Sequence, residues 1–342
     1  MNNKTQKNWL YASNGRAALY HILKSIDINK ILIPIYICHT ILEPIKRLKI
    51  KPIFYDINLD DLNANFESIK FLIDKYNIKT ILIASMYGNI ANLNEIEIFC
   101  KNRDIFMIDD AAQSFGTKLD NRYVGTFGSA GFFSFSPGKP TAAHMGAFFW
   151  SSSSINIKRD KAFFTHYFRW LDFYINRYNI YTKYNYFLKK FINILSRFLL
   201  KFFDVYNNDI SNFEKRILGG VLFDNINGKF QFRNSYYKQF VKKFVDYKFF
   251  DVIENKRGIC NNHKLIMIFY DISLCHRFIE YMKMKNIYVS NGYELLSNYD
   301  VDHCKNALLI NKKVVELPIE NDNKKMKYIF NRIEDFANSN KI

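Results

Sequence analysis

Apolar residues recur in this chain with two periods. Over the first 150 residues, short β-branched runs alternate with segments whose apolar positions fall three and four apart. The runs KILIPIYI (30–37), KPIFYDI (51–57), KTILIASMY (79–87), DIFMIDDAA (104–112), GFFSFS (131–136) and GAFFWS (146–151) predict strands. Between them ALYHILKSI, ILEPIKRLKI, FESIKFLIDKY and LNEIEIFCKNR predict helices. Such alternation predicts an α/β domain with a mostly parallel sheet, whose ligands gather outside the carboxyl ends of the strands.

The pattern changes after Trp150. From Ser151 to Tyr206 there are ten bases against three acids (Asp160, Asp172, Asp204) and many aromatics, which predicts an inserted helical segment at about 155–204. Within it FLKKFINILSRFLLKFF sets Lys190, Asn193, Arg197 and Lys201 on one helical face and Phe187, Phe191, Leu195, Phe198, Leu199 and Phe202 around the other. Two readings fit: a core-packed helix with a solvated basic face, or a helix lying against an anionic membrane or a partner. From Ser211 a long helix (NFEKRILGGVLFDNI, then FRNSYYKQFVKKF) leads into a smaller α+β part. There HKLIMIFYDI and KVVELPIE predict strands, and SLCHRFIEYMKMK and NKKMKYIFNRIEDF predict helices. We expect a large domain over 1–225 and a small one over 226–342.

Composition narrows the class. In 342 residues, 49% hydrophobic and 24% charged content excludes a disordered or fibrous chain. A formal net charge of +17 favours an anionic partner, although an AT-rich genome raises Lys content by itself. No nucleic-acid recognition motif accompanies the charge, and no nucleic-acid partner is expected. With no signal-peptide core in MNNKTQKNWLYASNGRAALY and no apolar run of roughly 18 residues, a cytoplasmic protein is expected. The five cysteines are odd in number and widely spaced, which fits reduced thiols. Three adjoin a histidine, but no paired ligand spacing is present, so no metal site is expected.

The chemistry concentrates in MIDDAAQSFG followed by GSAGFFSFSPGKP. Taken singly, Asp110 reads as a helix cap and Lys139 as a surface lysine. Together, an aspartate ending a buried strand, Gln113 three residues on, and Ser134 five residues before Lys139 put polar groups at one sheet edge, where a cofactor would sit.

These segments, with SNGRAAL (13–19), YGNIANLNEI (87–96), VGTFGSAGFFSFSPGK (124–139), VYNNDIS (205–211) and KNALLINKKVVELPIE (305–320), resemble the DegT/DnrJ/EryC1/StrS family of sugar aminotransferases. Members are fold-type-I enzymes dependent on pyridoxal phosphate, and the likeness runs along nearly the whole chain. It implies a large domain with a mostly parallel, seven-stranded sheet and a smaller α+β C-terminal domain. Lys139 matches the lysine that forms the internal Schiff base, a role suited to an enclosed amine that can lose its proton. Asp110 matches the carboxylate on the pyridine nitrogen, which keeps the ring an electron sink. Gln113 matches the glutamine that contacts the ring and its oxygen, and Ser134 the hydroxyl on the phosphate. Gly15, Arg16 and Ala17 match the helix-opening turn whose amides hold the same phosphate. Asn207 matches an asparagine reaching that phosphate from the other subunit, which implies a homodimer with a shared site. The substrates so implied are a nucleotide-linked keto-sugar and an amino-acid donor, glutamate by the resemblance, in surface polysaccharide or glycan synthesis.

Departures surround the substrate side. Arg16 replaces a usual Ser or Thr, removing a hydroxyl and adding a cation able to pair with phosphate. Ser85 replaces a histidine, His144 lies in the Gly-rich stretch after the lysine, and Asp209 replaces an arginine. A stacking aromatic falls on Cys38, so Tyr36 or His39 would have to substitute. These changes motivate a second reading, a catalytically altered member acting as a binding protein, in peripheral contact with an anionic membrane through 155–204. A third, a sugar dehydratase, is disfavoured because such members are expected to carry histidine where Lys139 stands.

Overall fold

The computed structural model describes residues 7–143, 145–157, 226–295 and 299–340, with Ile194, Tyr206, 215–216 and 218–220 as isolated positions. The basic segment beyond residue 157 lies outside the described residues, apart from the helical, exposed Ile194 and the buried Tyr206. Asn207, Asp209 and His144 lie outside them too.

In chain order the first half runs β1 (Leu10–Ala12), α1 (Gly15–Lys24), β2 (Lys30–Pro34), α2 (Leu42–Arg47), β3 (Lys51–Tyr55), α3 (Phe66–Tyr76), β4 (Thr80–Ala84), α4 (Leu93–Asn102) and β5 (Phe106–Asp110). A small hairpin, β6 (Lys118–Leu119) and β7 (Arg122–Tyr123), precedes β8 (Ala130–Ser134) and β9 (Ala147–Ser151). Seven strands form one sheet in the order β1-β9-β8-β5-β4-β2-β3. Only β9 runs against the others, pairing antiparallel with both β1 and β8. The expected mostly parallel sheet is therefore present, with short β1 added at its edge. Three-residue β1 was too brief to show as a periodic run.

Its central strands are buried on both faces, so they read as continuous apolar runs. The pleat nevertheless sorts them. Ile31, Ile33, Leu82, Ile108, Phe132 and Phe149 face one layer with α1 and α2. Leu32, Ile81, Ile83, Met107 and Phe133 face the other, with α3 and α4. Each helix docks by an apolar stripe: Ile69, Leu72 and Ile73 on α3, and Leu93, Ile96 and Cys100 on α4.

The second half runs α5 (Ile226–Phe244), β10 (Phe250–Val252), β11 (Lys264–Phe269), α6 (Ile272–Met284), β12 (Ser290–Asn291), α7 (Lys305–Ile310), β13 (Val314–Pro318) and α8 (Asn323–Ser339). Its antiparallel sheet has the order β10-β11-β13-β12. Leu265, Met267, Phe269, Val315 and Leu317 point to a layer formed with Phe240 and Phe244 of α5, Phe278 of α6 and Ile333 of α8. The alternate residues Ile266, Ile268 and Val314 join the large sheet's core instead. One face of the small sheet thus closes over the edge of the large sheet where the cavity lies.

Candidate active site

Period-two arithmetic places the polar groups. On β5, Asp110 shares a face with Ile108; on β8, Ser134 shares one with Phe132; on β4, Ala84 shares one with Leu82. All three end parallel strands on the same side of the sheet, and they line one cavity of about 620 Å³. Lys139, Gln113, Gly15, Arg16, Ser85, Ala112 and Cys38 line it too.

Strand β1 leads through Asn14 into α1, so the helix opens at this edge. Asn14 caps it, its Oδ1 accepting the Ala17 N–H at 3.0 Å. That separates Ala17 from its neighbours: its amide is engaged and its side chain is buried behind the cavity wall. The amides of Gly15 and Arg16 open the first turn and have no carbonyl a turn earlier to bond. Beside them sits Ser134, so close that a β-carbon on Gly15 would lie 3.1 Å from Ser134 Cβ and 3.3 Å from its Oγ. Two open amides, a hydroxyl and a helix N-terminus make a compact anion cradle.

Arg16 lines this cradle, but its Nη1 donates to Glu43 Oε2 at 2.5 Å, and Tyr206 donates to the same oxygen at 3.3 Å. The cation expected to meet a phosphate is held by a carboxylate.

Asp110 accepts the Ala112 N–H on Oδ1 at 2.9 Å. Burial lifts its pKa to about 6, against the opposing pull of that hydrogen bond and of the Lys139 charge. A buried carboxylate of this kind gains from a cationic ring nitrogen placed before it. Its neighbour Asp109 points through the opposite face of the sheet, where Oδ2 accepts the amides of Gly125 at 2.5 Å and Phe127 at 3.0 Å. Asp109 ties down the loop before β8, and burial raises it to about 7.

Lys139 is half-buried on a turn closed by its N–H to Ser136 O at 3.2 Å. The carbonyls on either side of it are both held. His263 Nε2 meets Gly138 O at 2.9 Å, and Arg233 Nη2 donates to Pro140 O at 2.8 Å. Burial first, then the charges of Lys264, Arg233 and Lys139, drives His263 well below its ordinary pKa, so a neutral ring donates from Nε2.

Gln113 is fixed at both ends: Oε1 accepts the Tyr87 N–H at 3.2 Å and Nε2 donates to Tyr293 Oη at 3.1 Å. The residues holding Lys139 and Gln113 were not legible in sequence, since His263 and Tyr293 stand 125 and 180 positions away from their partners. Neither Tyr36 nor His39 lines the cavity beside Cys38. Tyr36 is buried with its hydroxyl 2.8 Å from that of Tyr87, and His39 Nε2 meets Glu294 O at 2.5 Å; the cavity wall there is Ile37, Cys38 and Ile41. Among the described residues no cluster of His, Cys, Asp or Glu is placed to hold a metal.

Residues 4–166 match the DegT/DnrJ/EryC1/StrS aminotransferase family. The matched stretch is just under half of the chain. A GDP-perosamine synthase of Vibrio cholerae is 26% identical over 150 residues, 43% of this chain and 41% of that protein. A GDP-4-keto-6-deoxy-D-mannose 3-dehydratase of Escherichia coli O55:H7 is 32% identical over 106 residues, 31% of this chain and 27% of that protein. Both matches thus span less than half of the relatives' length. The fold extends further: an aminotransferase of Helicobacter pylori involved in pseudoaminic acid biosynthesis superposes with a TM-score of 0.74 at 16% identity, covering 97% of this chain and 87% of that one. The architecture is that of these aminotransferase structures from end to end of the described residues.

Proposed function

We propose that this chain is a pyridoxal-phosphate-dependent aminotransferase that moves an amino group from an amino acid, glutamate in our reading, to a keto-sugar carried on a nucleotide, in surface polysaccharide or glycan biosynthesis. The observation that carries this is the convergence of Lys139, Asp110, Gln113, Ser134 and the opening turn of α1 on one cavity. The residues fit the cofactor: an anion cradle at Gly15 and Ser134, and a buried carboxylate at Asp110 that a cationic ring nitrogen would stabilise. When bound, pyridoxal phosphate supplies the electron sink for the carbon whose proton is moved. The chain supplies the rest. The amides of Gly15 and Arg16 and the Ser134 hydroxyl hold the phosphate. Asp110 holds a proton on the ring nitrogen by its charge, and Gln113 orients the ring. Lys139 Nζ would be the group that joins the cofactor and, when free, the base that carries the proton.

Support for a nucleotide-sugar substrate comes from the named activity of the GDP-perosamine synthase relative and from the +17 charge, which suits a pyrophosphate. We divide the chain into a large domain over 1–225 and a small one over 226–342. We also read it as a homodimer completed by the partner's Asn207.

The decisive experiment is the absorption spectrum of the protein loaded with pyridoxal phosphate, before and after borohydride. A band that reduction fixes as added mass on the Lys139 peptide is expected, followed by amine transfer from glutamate to one of a panel of nucleotide keto-sugars. Absence of the band, or full activity in Lys139→Ala, overturns the reading. A deoxygenated product without net amine gain would move it to a dehydratase. Mixing Lys139→Ala and Asn207→Ala chains restores activity only if the site is shared between subunits.

A further inference from the structure

Glu316 stands in the middle of β13 on the face that the pleat turns toward the large sheet, between the apolar Val314 on its own strand and Ile266 beside it. It is 4% exposed. A carboxylate there opposes the hydrophobic pattern of its strand and requires partners to remain charged. It has three: Tyr87 Oη donates to Oε1 at 2.7 Å, Ser290 Oγ donates to Oε2 at 3.0 Å, and Lys264 Nζ pairs with Oε2. Tyr36 Oη adds a second contact to the Tyr87 hydroxyl at 2.8 Å. Because Tyr87 gives its proton to Glu316, Tyr36 is the donor in that pair. Room for this line of hydroxyls depends on Gly292, where any β-carbon would collide with the Tyr36 hydroxyl.

Tyr87 links this cluster to the cavity. Its backbone is in the left-handed region at φ 58°, a conformation costly for an aromatic residue unless its surroundings hold it. The surroundings come from the second half of the chain: Glu316 takes the side chain and the His263 N–H takes the carbonyl at 3.1 Å. In that pose the Tyr87 N–H points at Gln113 Oε1. The amide of Gln113 then has one orientation only, since reversing it would set Nε2 against the Tyr87 N–H, donor to donor. Gln113 therefore turns Nε2, not carbonyl oxygen, to the cavity side, where it donates to Tyr293 Oη at 3.1 Å and lies 3.8 Å from Met86 Sδ, a weak contact that a cofactor oxygen would replace.

We propose that Glu316 is a positioning residue which, through Tyr87, fixes Gln113 as a hydrogen-bond donor to the oxygen of the cofactor ring, so that the small sheet sets the protonation behaviour of the cofactor held at Lys139. This rests on the proposed function. A donor on a ring oxygen stabilises its anionic form and lowers the basicity of the nitrogen joined to Lys139, and loosening Gln113 raises that basicity.

The test is a pH titration of the visible absorption band of the pyridoxal-phosphate-loaded full chain, wild type against Glu316→Gln and Tyr87→Phe. Asp110, Lys139, Cys38 and Arg16, the titratable or charged groups lining the cavity, are unchanged in both variants. We expect the midpoint to rise by about one pH unit in each, with kcat lowered more than KM, as for loss of one hydrogen bond to a charged group. A merely structural Glu316 would shift the melting temperature and leave the midpoint in place, and that result overturns the proposal. Tyr87→Phe removes only a hydroxyl, and Glu316→Gln/Lys264→Met leaves no unpaired cation, so one of them reads the link if the single Glu316 variant does not fold. A wild type with no reducible band overturns the functional reading and this inference with it. A normal wild-type band with unmoved variants overturns the inference alone.

Discussion

Gly15 and Ser134 meet at the sheet edge so closely that a β-carbon at 15 would fall 3.1 Å from Ser134 Cβ and 3.3 Å from its Oγ, and the serine would have to give way. Gly15→Ala therefore shifts the hydroxyl out of the cradle, although alanine favours the helix itself by up to about 1 kcal/mol. Cofactor-free protein should melt no lower than wild type, while the dissociation constant for pyridoxal phosphate rises about tenfold. Ser134→Ala should weaken binding to a similar extent. Titration by fluorescence, together with melting curves without cofactor, separates the two effects.

Asp110 predicts a pH signature. Its pKa in the cofactor-free fold is about 6 against 3.8 in an unfolded chain, so the folded state binds the extra proton. Its contribution is fully favourable below pH 4 and is lost as pH rises through 6, to roughly 3 kcal/mol at pH 8. Asp110→Asn should thus raise the melting temperature of cofactor-free protein at pH 8 and not at pH 4. The same variant should lower amine transfer on the order of a hundredfold or more, because the ring nitrogen loses its counter-charge. Equal melting shifts at both pH values would contradict the assignment.

His263 and Arg233 hold the two carbonyls that flank Lys139. His263→Ala/Arg233→Met should free the turn and lower kcat on the order of tenfold to a hundredfold, as the amine leaves its reacting position. Single-turnover kinetics with preloaded cofactor measure this without interference from binding.

Glu43 pairs with the Arg16 guanidinium at the rim of the cradle. Glu43→Ala should release that cation toward the anion site and tighten pyridoxal phosphate a few-fold at low salt, with the gain fading at high salt, where exposed charges are screened. Unchanged affinity at every salt concentration would mean that Arg16 does not face the phosphate.

How much of this could be read beforehand follows from distance along the chain. The central strands were plain because burial on both faces makes continuous apolar runs, and the helices because their stripes recur at three and four. Brief β1, β10 and β12 carry too few residues to show a period. Asp110, Gln113, Ser134 and Lys139 were legible as a set because they lie within 30 positions and carry a family's spacing. Arg16 lines the cavity, but its engagement by Glu43, 27 positions on, could not be seen from either residue alone.

By itself the sequence determined the α/β layering and the likeness of residues 4–166 to a family, and it proposed the reacting groups, since periodicity and motif spacing are local properties of the chain. Tertiary structure decided what holds those groups. Antiparallel β11 and β13 bring Lys264 and Glu316 together with Tyr87, and the same docking puts Tyr293 on Gln113 and His263 beside Lys139. Glu316 alone looks like a polar intruder in VVELPIE. Only the pleat, which turns it toward the large sheet, and the fold, which sets three donors there, make a buried carboxylate stable and give it work at the cavity.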